Sequence, residues 1–202
     1  RARAGAGVVA VSIDHLLQYP APTLDDPGWD FLGEGETVKA LGRFTGQKMT
    51  RPGDALPLIG YGVAAGLYGD DDAALQSFRD VMRAHPQVVR RFEASEGVEQ
   101  RIRELIDQYS EPAEDADDAQ RASLLAASLH CLLHEYDAAR RIIGELDEGD
   151  FTLQVLVDFI AAATAGEGEA DDAADETEPD SSEPEEDDGG APRPLIAPGW
   201  KR

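Results

Sequence analysis

The chain has 202 residues and carries 41 Asp or Glu against 18 Lys or Arg, a formal net charge of −23. That length holds one domain of ordinary size plus extensions, and an acidic balance of this kind excludes recognition of nucleic acid or an anionic membrane through a broad basic surface. One cysteine, Cys131, excludes an intramolecular disulfide framework and any multi-cysteine zinc module, and it suits a reducing cytoplasm.

Residues 166–190 hold 13 carboxylates and no Lys or Arg, yet residues 1–165 still carry 28 acidic against 15 basic side chains. The excess is therefore not confined to one tail. With only three lysines, Lys39, Lys48 and Lys201, the composition is similar to that of cytoplasmic proteins from salt-adapted microbes. No apolar run approaches the roughly 18 residues needed to cross a bilayer.

Residues 1–11 read as a loose, Gly/Ala-rich N-terminus that opens on Arg1 rather than Met, as a truncated start would. Ser12 is a candidate N-cap for a short helix with Ile13, Leu16 and Leu17 on one face. Residues 19–35 are dense in Pro, Gly and Asp and predict a loop anchored by Trp29, Phe31 and Leu32. The spacing of Val38, Leu41 and Phe44 predicts a helix over 36–45, ended by Gly46. Residues 48–57 then form a connection in which Lys48 and Arg51 make a small basic spot, read as a solvated loop.

Residues 58–86 carry the clearest architecture. An apolar, glycine-tolerant helix over 58–68 is broken by Gly69 and the run Asp70, Asp71, Asp72. A second helix resumes with Ala74, Phe78, Val81 and Met82 at helical spacing until Pro86. Gly62, Ala74, Phe78 and Pro86 stand at the spacings of the tetratricopeptide (TPR) pattern, with Gly69 at its turn, so this hairpin resembles a TPR unit. Leu58, Ala65 and Val81 depart from it, standing where that family prefers Trp, Tyr and Ala. The resemblance implies that Gly62 and Ala74 admit close helix approach, that Phe78 fills the gap toward a neighbouring repeat, and that Pro86 begins the connection to it.

Further along, 88–94 and 97–109 predict a divergent middle hairpin, with Ser95 capping the second helix, and residues 110–118 a polar acidic loop. Helices over 120–133 and 136–146 repeat the central hairpin. Ala138 and Ala139 align on Ala73 and Ala74 at an offset close to two periods of about 34 residues. Phe151 replaces the closing Pro. Asp150 reads as the N-cap of a final helix over 151–165, which shields the end of the stack.

The composition shifts near residue 166. Residues 166–190 are expected to be a disordered acidic linker, since low hydrophobicity and unbalanced charge do not offset chain entropy. Residues 191–202 restore Leu195, Ile196 and Trp200 beside Arg193, Lys201 and Arg202, a pattern suited to a short docking motif. A terminal appendage without a partner fits the same residues.

No catalytic constellation emerges. His130 and His134, four apart as on one helix face, make a candidate metal-ligand pair, but no HExxH is present, and the hairpin alignment puts His134 at the turn and His130 on the packing face, so packing and capping explain them as well. Cys131 reads as a small core residue. The acidic clusters at 70–72 and 114–118 lack EF-hand order, and no phosphate-cradling GxxxxGK[ST] occurs.

The expectation is an all-α domain over 12–165, built of stacked antiparallel helical hairpins in an irregular TPR-like manner, followed by the acidic linker and tail. Its expected role is that of a cytoplasmic protein-interaction adaptor rather than an enzyme, with no cofactor or metal. The partner would be a protein or peptide, not nucleic acid or membrane. Tyr61, Ala65, Tyr68, Leu129 and His130 are the candidate partner-binding residues on a concave surface, with Arg193, Leu195, Ile196 and Trp200 as the tail motif. Two alternatives stand beside it: a metal-binding regulator or enzyme using His130 and His134, and an immunity or inhibitor protein whose acidic surface occludes a basic toxin.

Overall fold

The computed structural model describes residues 24–113, 115–146 and 150–165. Among these the chain is all-helical: α1 (Pro27–Gly33), α2 (Thr37–Thr50), α3 (Ala55–Tyr68), α4 (Asp71–Ala84), α5 (Pro86–Val89), α6 (Glu96–Tyr109), α7 (Ala116–Leu132), α8 (Tyr136–Ile143) and α9 (Phe151–Ala165). The short helix expected before residue 19, the acidic linker and the tail motif lie outside the described residues. No described helix is long and apolar enough to cross a membrane.

The segment expected to be a loop contains α1. Asp26 accepts a hydrogen bond from the Gly28 N–H at 2.8 Å, and Pro27 occupies the first helical position, where its missing N–H costs nothing. Asp-Pro-Gly here starts a helix instead of breaking one. Trp29 and Leu32 are buried as an anchor, with the Trp29 ring 4.9 Å from Phe44 edge-on and 5.6 Å from Phe92. The Arg43 guanidinium bonds both oxygens of Asp26 and, with the Gly28 N–H, holds that carboxyl below its ordinary range.

Helix α2 also runs further than expected, through Gly46 to Thr50. Gly46 keeps a helical backbone, whereas Gly69 turns left-handed with φ of 88° and ends α3. There the Asp70 N–H reaches back to the Ala65 carbonyl at 2.9 Å, while the Asp70 side chain accepts from Ala73 N and opens α4.

Rings seated on glycines bring α3 close to both α2 and α4. The Phe44 ring of α2 rests on Gly60, where a Cβ would come within 2.4 Å of it, and the Phe78 ring of α4 rests on Gly62, where the gap would be 2.6 Å. Phe78 therefore fills a notch in its own hairpin rather than reaching to a neighbouring one. Ser77 adds a hydrogen bond from its hydroxyl to the Leu58 carbonyl at 2.9 Å.

Pro86 opens the single turn of α5. The hairpin expected between this turn and α6 is not the principal contact, because α6 packs against α7, α1 and α3. The Tyr109 hydroxyl at the end of α6 donates to Asp71 at 2.6 Å, and burial together with that carboxylate raises the phenol pKa. Helices α7 and α8 pair as expected, and α9 covers α4, α7 and α8, its start capped by Asp150 accepting from Thr152 N at 2.6 Å. Contacts between α1 and α6 and between α4 and α9 close the helices around one shared core.

The glycines give a direct test. Gly60→Ala forces a methyl into the buried Phe44 ring and is expected to lower stability by about 1–3 kcal/mol despite its better helix propensity. Gly42→Ala, with open space around it inside α2, is expected to raise stability by about 0.5–1 kcal/mol. Urea denaturation of the two variants beside the parent measures both.

Candidate functional site

The residues expected to bind a partner do not form one surface. Tyr61, Ala65 and Tyr68 lie on α3, and Leu129 and His130 lie on α7, two helices linked through α4 and α6, each packed against both. Ala65 and Leu129 are fully buried and offer nothing to a partner, because the small or apolar face expected to line a groove is the face that packs the core. Tyr61 is half-buried, with Lys48 Nζ 3.4 Å from its ring centroid, and partial burial lowers the Lys48 pKa. Lys48 is thus a helical residue capping an aromatic ring, not part of a solvated loop. Only Tyr68, 62% exposed, stands free at a helix end. Arg193, Leu195, Ile196 and Trp200 lie outside the described residues.

His130 and His134 do not share a helix face. Helix α7 ends at Leu132, and His134 takes a left-handed backbone with φ of 59°. His130 Nδ1 lies 2.7 Å from Glu135 Oε2, while His134 Nε2 lies 3.3 Å from the Val89 carbonyl oxygen. His130 thus braces the turn that joins α7 to α8, and His134 ties that turn to α5. Among the described residues no group of three or more His, Cys, Asp or Glu is arranged to hold a metal. Cys131 is wholly buried, and burial pushes its thiol up to about 12, the wrong direction for a nucleophile.

Two clefts are better formed. The larger, about 580 Å³, lies beside the starts of α1 and α3 and is lined by Asp25, Asp26, Gln47, Asp54 and His85 among others. Its carboxylate Asp26 is already committed to Arg43 and to capping α1. The second, about 420 Å³, is a groove between α4, α5 and α9 with an apolar floor of Met82, Val155 and Phe159. Phe151 stands 55% exposed at one end of it.

Arginine gives this groove its character. The Arg79 and Arg83 guanidinium carbons lie 5.8 Å from the Phe151 ring centroid, and that of Arg90 lies 5.9 Å from Phe159. Arg43, Arg51, Arg101, Arg103, Arg121 and Arg140 are each paired with a carboxylate. Arg83 and Arg90 have no carboxylate partner among the described residues, and Arg90 Nε is buried with no hydrogen-bond partner there. Asp158 lines the same groove and is bonded by Gln154 Nε2 at 2.8 Å.

The sequence reading missed this groove, although a signal was present. Residues 79–91 hold four arginines and a single carboxylate, Asp80, in a chain where acidic residues outnumber basic ones more than twofold. Placing that cluster beside Phe151 requires α9 to return onto α4, which spacing within either helix does not encode.

Comparison with protein-family models, with curated proteins and with solved structures gives no match to this chain.

The turn at His130 makes a prediction about pH. Burial raises the Glu135 pKa, but hydrogen bonds from His130 and Arg103 outweigh it and hold the carboxyl below its ordinary value. A depressed folded-state pKa contributes stability above the unfolded value of about 4.3, and that contribution is lost as pH falls through the folded pKa. Glu135→Gln is therefore expected to be less stable than the parent at pH 7, with the difference shrinking toward pH 3 in denaturant titrations at the two pH values.

Proposed function

We propose that this chain is a protein-interaction adaptor, an irregular TPR-like stack of helical hairpins that binds an extended peptide of a partner protein in the cytoplasm. The observation that carries this reading is the groove between α4, α5 and α9, where an apolar floor is bordered by Arg83 and Arg90, which have no carboxylate partner among the described residues. Apolar surface of this kind, edged by guanidinium groups, suits a peptide that presents an aliphatic or aromatic side chain next to Asp or Glu. The ring contacts restrain the arginines before a ligand arrives, and their N–H edges remain available for charge-assisted bonds to carboxylate. The acidic surface elsewhere disfavours competing acidic partners at other faces. The role is one of binding rather than catalysis.

Selection of peptides from a displayed random library on the full chain at low salt tests the proposal. Enriched peptides are expected to combine an apolar residue with flanking Asp or Glu. Their affinity is expected to fall at least about tenfold for the Arg83→Glu/Arg90→Glu chain, since a lost charge-assisted bond is worth about 1.5–3 kcal/mol. Peptides that bind this variant as well as the parent, or a selection without enrichment both on the full chain and on one with the carboxylates of residues 167–188 neutralised, would overturn it.

A further inference from the structure

We infer that the acidic run at residues 167–188 folds back onto the groove between α4, α5 and α9 and occupies it, making the chain its own competitor for the site. This rests on the reading of the groove as a peptide site.

Charge supplies the first argument. Arg83 and Arg90 line the groove, Arg79 stands beside the Phe151 ring at its end, and among the described residues only Arg79 of the three is ion-paired with a carboxylate, Asp80 at 3.7 Å. The run 167–188 has 13 carboxylates and no basic residue, the densest source of complementary charge in the sequence. The opposing groups are Asp158 on α9 and Asp80 on α4, and Asp158 already accepts from Gln154.

Connectivity supplies the second. Phe151, Val155, Phe159 and Ala162 place one wall of the groove along α9, and the acidic run follows directly from the end of that helix at Ala165. From Phe151 to Ala162 the wall extends about 16 Å at 1.5 Å per residue. About five extended residues cover it, so the run can reverse after Ala165 and lie along the groove with length to spare. Tethering converts the encounter into an intramolecular one at an effective concentration in the millimolar range, so that a few exposed ion pairs suffice. The small side chains Ala170, Ala173 and Ala174 between the carboxylates allow close approach to the Phe151 and Phe159 rings. An acidic partner peptide then displaces the run, and rising salt loosens it.

A spin label on the full chain at Ser181→Cys reads this directly. The native Cys131 is buried with its thiol raised to about 12, so the label goes to position 181. In an isotope-labelled chain, amide signals of residues 82–90 and 151–162 are expected to lose about twofold or more in intensity, with recovery at 1 M salt, where screening is near 3 Å, and in the Arg83→Glu/Arg90→Glu chain. Broadening that is uniform over the domain, that is centred elsewhere, or that survives charge reversal would overturn the inference. Broadening in a mixture where label and isotope sit on different molecules, equal to that within one molecule, would overturn it in favour of a second copy.

Replacing the 13 carboxylates of the run by Asn and Gln supplies the competition arm. Selected peptides are expected to bind that chain about tenfold more tightly, consistent with removal of a tethered competitor. Unchanged peptide affinity would overturn the competition. If no peptide binds even the neutralised chain, the peptide-site reading fails, whereas the position of the broadening alone decides whether the run folds back.

Discussion

The packing of this protein depends on aromatic rings seated on glycine. Phe44 presses on Gly60 and Phe78 on Gly62, so α3 is held from both sides at distances that one added methyl would prevent. An interior packed at crystalline density has no slack to absorb such an atom. Helix α3 can therefore be buried over most of its length, and α2 and α4 are fixed against it by rings seated on its glycines. Helix α4 then offers its remaining faces to α5, α7 and α9, which is why the position of the groove follows from the α3 contact.

Electrostatics impose a second constraint. In a chain of net charge −23, an arginine near the surface finds a carboxylate with little cost, and most of the described arginines have done so. Exposed pairs of this kind add little stability individually. Their interest lies in contrast, because among the described arginines without such a partner Arg83 and Arg90 line one groove. Those two face aromatic rings across a groove that α9 completes, and Asp158, which lines the same groove, accepts a hydrogen bond from Gln154.

The sequence made the central hairpin legible because its signals are local. Gly69 turns left-handed, Asp70 caps the following helix and Pro86 starts the next turn, each through backbone geometry of one or two residues. The loop expected before residue 35 shows the limit of the same reasoning. Pro27 and Gly28 mark a helix start or a break equally well, and burial of Trp29 against Phe44 and Phe92 favours the helix. The metal pair failed for a related reason: His134 is four residues from His130, yet α7 ends between them, so the face they were to share does not exist.

By itself the sequence determined the helical class, the α3–α4 and α7–α8 hairpins, the buried state of Cys131 and the acidity of the whole chain, all of which follow from composition and short-range spacing. Only the tertiary structure decided which apolar faces are core and which are surface. Ala65 and Leu129 are as apolar as any groove residue, but α3 and α7 turn them inward. Phe151 begins a helix that looked like a cover, yet its ring remains more than half exposed beside Arg79 and Arg83. The physical reason is that burial is a property of helix pairs: a helix specifies its own stripe by period, while the partner for that stripe is chosen by packing between residues far apart in the chain.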